Sequence, residues 1–188
     1  MSALANARWS SQIGSVHASP ALRDWLHTSG SLTARLMAHS HRFRVRRIRQ
    51  ARGLISIDEM APLQLTRRVQ VQQRNVVLEC DDRPVIFAHT SVPLSATASD
   101  WPRFGSLGER SLGSTLFGDP RVQRGALSFA RLSSRHPFVV RMVAALGPQP
   151  PGPWFARRCV FRRHNGVLLV SEIFLPSIVE LALIQNAA

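Results

Sequence analysis

Lysine and tyrosine are absent from this chain of 188 residues, and only two cysteines and 11 acidic residues occur in it. The missing lysines make every one of the 24 basic residues an arginine, and the formal net charge is +13. Exclusion of lysine from every part of the sequence alike points to a compositional bias, whereas a surface built for a polyanion would leave a local footprint. The densest run, Arg42 to Arg52, interleaves its arginines with the apolar Phe43, Val45, Ile48 and Ala51, and Phe43 is its one aromatic, whereas a single-stranded nucleic acid would need several to stack on. No nucleic-acid partner is therefore expected, and a basic nucleic-acid-binding protein stands only as the alternative that composition suggests. Cys80 and Cys159 are too few for a disulfide framework and lie in no metal-ligand spacing, so a reduced, cytoplasmic setting is expected. No segment reaches the roughly 18 apolar residues of a membrane span, and Met1 to Ser15 lacks the apolar core of a secretory signal. Missing too are a phosphate-binding glycine loop, a G-x-G-x-x-G after a strand, and any H-E-x-x-H or Cys-x-x-Cys context. Neither a metal nor a cofactor is expected.

What is present is enough apolar material, 45% of the residues, for one hydrophobic core and one domain. Residues 1–18 are small and polar and read as a loose lead-in, leaving 19–188 as the domain. Two short helices follow, Ala21 to Leu26 with Pro20 in its first turn and Ser31 to Met37 with Ser31 as a cap. Strand patterns cover Phe43 to Arg49, Thr66 to Cys80, Val85 to Val92, Arg124 to Leu132, Trp154 to Arg163 and Val167 to Leu175. The second of these loses its alternation near Gln72 to Asn75, which predicts a bulge or a strong twist there. Arg110 to Phe117 and His136 to Leu146 read as helices. The proline-rich stretch Gly147 to Pro153 reads as a stiff surface crossing, and His164-Asn165-Gly166 as a hairpin turn. Six strands joined mostly by turns, with helices inserted among them, predict an α+β fold on an antiparallel sheet.

The run Val167 to Pro176 is apolar on both faces and carries a single carboxylate, Glu172. Burying it costs several kcal/mol, roughly, unless a cation or hydrogen-bond donors meet it, so it needs either an arginine partner or a ligand. Arg157 and Arg158 point to opposite faces of the preceding strand, and one of them is placed to reach Glu172. Arg74 sits where the strand pattern slips, and a guanidinium turned inward there could hold a carboxylate by two parallel hydrogen bonds. His89 shares a strand face with Val85 and Phe87 and reads as a half-buried, hydrogen-bonded histidine. Ser111-Leu112-Gly113 could offer backbone N–H groups to an anion, although a loop that turns into a helix looks the same.

Five blocks in order carry a resemblance: Arg74 to Leu78, Phe87 to Pro93, Leu107 to Phe117, Trp154 to Arg158, and Ser171 to Pro176. Over about residues 20 to 176 the chain resembles the chorismate lyase family. The resemblance implies a six-stranded antiparallel sheet with helical flaps closing over a buried ligand site. It further implies cofactor-free elimination of pyruvate from chorismate to give 4-hydroxybenzoate for ubiquinone synthesis; a monomer is expected. By the family's motif Arg74 would hold the ring carboxylate, Leu112 would give a backbone contact, and Glu172 would meet the ring oxygen that becomes the phenol. Leu32 stands where the family often has methionine. His89 stands where other members carry a second arginine, and it cannot give the same bidentate grip on a carboxylate. Ser177 to Ala188 extends past the family's last strand. The alternative within this fold is a non-catalytic domain that binds a small ligand, as in bacterial transcription regulators. Fewer than about 20 residues precede the first predicted helix, too few for the helix-turn-helix such regulators carry.

Overall fold

The structure, a computed structural model, describes residues 7–185. Six strands form one antiparallel sheet: β1 (Phe43–Leu54), β2 (Gln70–Cys80), β3 (Arg83–Pro93), β4 (Val122–Leu132), β5 (Trp154–Arg163) and β6 (Gly166–Phe174). Their spatial order is β1-β2-β3-β6-β5-β4, so two three-stranded halves meet along β3 and β6. The helices are α1 (Pro20–Leu26), α2 (Leu32–Ala38), α3 (Ile57–Met60), α4 (Leu94–Thr97), α5 (Leu112–Gly118), α6 (Pro137–Leu146) and α7 (Ile178–Gln185). This is the α+β architecture expected from the strand patterns. None of the described helices is long and apolar enough to cross a membrane.

Alternation along the strands divides the core between the two faces of the sheet. One face carries Val76, Ala88 and Leu168, and packs under α1, α2 and α7 at one end and under α4 and α5 at the other. The opposite face carries Val77, Phe87 and Ile173 and is covered by α6, with α3 beside it. Trp25, Leu26 and Leu36 are wholly enclosed where α1 and α2 lie on the sheet, each such side chain contributing about 1.5–3 kcal/mol. The central strands are thus buried on both sides, which explains a misreading. The predicted bulge at Gln72 to Asn75 does not exist in β2, which pairs in unbroken register from Val71 to Leu78. Apolar residues on both faces of β2 erased the alternation, while the bulge sits across from it, between Arg47 and Arg49 of β1.

Two tight turns set the hairpins. Asp81 and Asp82 both take positive φ (49° and 61°), the two-residue turn whose twist suits paired strands. At the other hairpin the left-handed position belongs to His164 (φ 51°). Gly166 is required for another reason, since a Cβ there would lie 2.4 Å from the Cβ of Asp100.

The expectation of a loose lead-in fails from residue 7 onward; residues 1–6 lie outside the described part. Trp9 donates its indole N–H to Asp58, Ser10 pairs through its backbone with Phe129 of β4, and Val16 and Ala18 are buried. These apolar residues follow no helical or strand period, so only tertiary packing reveals them. The tail beyond the last strand also has a place: α7 buries Ile178 and Leu181 against the core of α1.

Candidate active site

A cavity lies on the sheet face beneath α2 and α5, walled by all four of Arg74, Glu172, Leu112 and Leu32. Strand parity puts the first two there. Arg74, Val76 and Leu78 alternate onto one face of β2, and Val170 and Glu172 onto the same face of β6. The short helices bring the other two. Ser31 caps α2 by accepting from the Ala34 N–H, which sets Leu32 as its first, buried residue. Ser111 caps α5 by accepting from the Gly113 N–H and does the same for Leu112. The two flaps touch over the cavity, Thr33 Oγ1 and Ser111 Oγ being 2.9 Å apart. A Cβ on Gly113 would come within 2.9 Å of that Thr33 oxygen, so the close approach depends on glycine.

Arg74 is 2% exposed, and its Nη2 donates to the carbonyls of Gly108 (3.0 Å) and Arg110 (2.9 Å) in the loop that leads into α5. Its Nε is buried and finds no acceptor among the described residues. Burial, helped by the nearby Arg47, pulls its pKa down to about 10, which still leaves it cationic at neutral pH. A buried cation without a carboxylate is a costly arrangement that an anionic ligand would relieve.

Glu172 does have a partner. Arg157, directly opposite it on β5, donates from Nε to Glu172 Oε2 at 2.6 Å. The same guanidinium donates to the carbonyls of Leu26 (3.2 Å) and Thr28 (3.1 Å) at the end of α1. The Glu–Arg pair and the cavity-facing carboxylate were posed as alternatives from sequence, and both hold at once. Among the described residues the other carboxylate oxygen, Oε1, makes no hydrogen bond.

His89 is not in this cavity. Ala88 and Thr90 line it, and alternation turns His89 to the opposite face of the sheet, so the place suggested by the family motif is corrected by strand geometry. There His89 is 1% exposed, 2.5 Å from Asn75 Oδ1, 2.9 Å from Ser91 Oγ and 3.0 Å from Glu59 Oε1. It belongs to a second buried polar cluster. Asp58 lies 3.2 Å from both His136 Nε2 and Trp9 Nε1, and accepts through its backbone carbonyl from Arg158 (2.8 Å). Burial opposes the charge of Glu59, but His89, Arg141 and the Ser56 N–H together outweigh it and lower the pKa of that carboxyl to about 2.

Sequence reasoning missed Arg124, which also lines the cavity. Its signal was hidden by a register shift in β4 between Arg124 and Leu127, which brings both to the same face although they are three residues apart.

Comparison with known proteins adds a family. A family model described as Chorismate lyase matches residues 3–184. A probable chorismate pyruvate-lyase of Methylobacillus flagellatus is 45% identical over 164 residues, 87% of this chain and 92% of that one. Another from Ralstonia nicotianae is 48% identical over 157 residues, 82% of this chain and 80% of its own length. Among solved structures, the effector domain of PhnF from Mycobacterium smegmatis superposes with a TM-score of 0.53 at 17% identity, covering 79% of this chain and 90% of that one. That likeness concerns the fold alone.

Proposed function

This chain belongs to the chorismate lyase family and is a lyase acting on a carbon–oxygen bond, and from that premise we propose that it converts chorismate to 4-hydroxybenzoate and pyruvate. The observation that carries the reading is one cavity holding, among the described residues, both a buried arginine without a carboxylate partner and a carboxylate with one oxygen free. In this reading Arg74 takes the ring carboxylate by a charge-assisted hydrogen bond from Nε, the donor it leaves unused. Glu172 accepts from the ring C4 hydroxyl through Oε1 while Arg157 fixes Oε2. Leu112 contributes its backbone at the mouth of α5, and Leu32 packs on the ring from α2.

The reaction breaks the C3–O bond of the enolpyruvyl ether and removes the proton from C4. The ring becomes aromatic, and the methylene carbon of the departing enolpyruvyl group gains a proton to become the methyl of pyruvate. Aromatisation makes the step downhill, so orientation matters more than a strong acid or base. Flaps that meet through Thr33 and Ser111 exclude water, which strengthens each charged contact inside. We further propose that the product feeds ubiquinone synthesis and that the enzyme works as a cytoplasmic monomer. Cys80 and Cys159 are buried free thiols, as a reducing compartment favours.

The test is pyruvate release from chorismate by the purified protein, coupled to lactate dehydrogenase, with 4-hydroxybenzoate followed in parallel. Equal amounts of the two products, unchanged by EDTA, are expected. A protein that binds 4-hydroxybenzoate but releases no pyruvate would instead be a ligand-binding domain of this fold.

A further inference from the structure

We propose that Arg124 is the second anion-binding residue of the cavity and takes the enolpyruvyl carboxylate, the one that leaves with pyruvate. The inference rests on the lyase reading above. It starts from a charge count. Among the described residues the cavity walls contain three guanidinium groups, those of Arg74, Arg124 and Arg157, and one carboxylate, that of Glu172. Glu172 is taken by Arg157. The two guanidinium groups left over match the two carboxylates of the substrate in number and sign, and desolvated carboxylates require such partners.

Arg124 has the right surroundings for that role. It extends from β4, across the sheet from Arg74 on β2, so the two cations approach the cavity from its two sides. No carboxylate pairs with it among the described residues. Its terminal nitrogens donate to the carbonyls of Thr28 (3.4 Å) and Ser29, in the loop joining α1 to α2. Its guanidinium carbon lies 5.6 Å from the ring centre of Phe117 on α5. Nε is buried and finds no acceptor among the described residues. The Cys159 thiol on the cavity wall registers this charge: burial raises its pKa, and Arg124 draws it back. One cation therefore touches both flaps and keeps a donor in reserve. A carboxylate bound to it would be held where the flaps close, and its departure with pyruvate would remove an anchor of the closed state.

The substrate and the ring product differ in this carboxylate, and that difference makes the assignment testable. Arg124→Gln should raise the KM for chorismate by about 10- to 100-fold, as expected for loss of a charge-assisted hydrogen bond. Its Kd for 4-hydroxybenzoate, measured by calorimetry, should stay within about twofold of the unsubstituted protein. Arg74→Gln should weaken both ligands together. Arg124→Lys, which keeps the charge and loses the planar fork, should recover part of the chorismate affinity. The assignment is overturned if Arg124→Gln weakens 4-hydroxybenzoate as much as chorismate, since Arg124 would then only hold the flaps. It is equally overturned if neither ligand is affected. Should Arg124→Gln not fold, the same comparison on Arg124→Lys decides. Failure of the unsubstituted protein to release pyruvate would sink the lyase reading itself, a result separate from any loss confined to the variants.

Discussion

Glu172 is the partner of Arg157 and, in the function proposed above, also meets the substrate, and the two roles predict different damage. Replacing it by glutamine preserves shape but removes the charge that offsets Arg157. Breaking a buried ion pair by removing one member commonly costs about 3–5 kcal/mol. Here Arg157 keeps the carbonyls of Leu26 and Thr28, and the Glu172 side chain is 15% exposed, so the loss should fall below that range. Turnover should suffer more, by about 10²-fold, the scale expected of a positioned group that touches the reacting ring. Thermal melting beside steady-state kinetics on Glu172→Gln separates the roles. A variant that melts far lower yet turns over normally once folded would leave Glu172 with the structural role alone. The lesson about legibility belongs at this scale too. The parity of Phe87 already set His89 apart from the cavity, and the reading of a half-buried, hydrogen-bonded histidine found its hydrogen bonds while understating its burial, which is nearly complete. The family motif, which matches positions along the chain and not faces of a strand, suggested the other place.

At the scale of elements, the strands were legible because turns and prolines punctuate them, and α2 because Ser31 stands as a cap before an apolar run. Less could be read where period fails. The shifted register of β4 hid Arg124, and α3 spans only four residues, too few for any periodicity. Yet α3 ties much of the opposite sheet face together. Asp58 reaches His136 at the start of α6 and Trp9 of the leading segment, and Glu59 reaches His89 and Ser91 of β3. Arg141 and Arg158 add positive charge around both carboxyls. Because the folded pKa of Glu59 lies near 2, below its ordinary 4.5, its contribution is complete above pH 4.5 and disappears as the pH falls toward 2. Urea midpoints should therefore drop over that interval, with Trp9 fluorescence reporting release of the leading segment. Glu59→Gln should be less stable at neutral pH and show a flatter acid limb. A variant whose stability declines with acid as steeply as that of the unsubstituted protein would assign the effect elsewhere.

For the whole molecule the dominant property is an arginine excess that no single surface explains. Its arginines are drawn into tasks on nearly every element. Arg35 meets Asp24 between α2 and α1, Arg46 meets Glu79 between β1 and β2, and Arg163 meets Asp119 beside β4. Arg158 lies over the ring of Trp9 at 4.3 Å, and Arg74, Arg124 and Arg157 face the cavity. A nucleic-acid-binding protein would instead gather its charge in one groove or along one helix and leave it unpaired. The net charge of +13 still attracts polyanions at long range, so some binding to duplex DNA is expected at low salt. Binding of that kind comes from counterion release and falls steeply with ionic strength, so it should be lost by about 200 mM salt and show no preference among sequences. A small dianion drawn into a closed cavity depends on buried contacts that salt screens far less, and turnover of chorismate should persist at the ionic strength that strips the DNA. Titrating labelled duplex and assaying pyruvate release across the same salt series puts the two behaviours side by side. DNA affinity that survives at about 200 mM, or DNA that displaces 4-hydroxybenzoate there, would mean that the arginines form a binding surface after all.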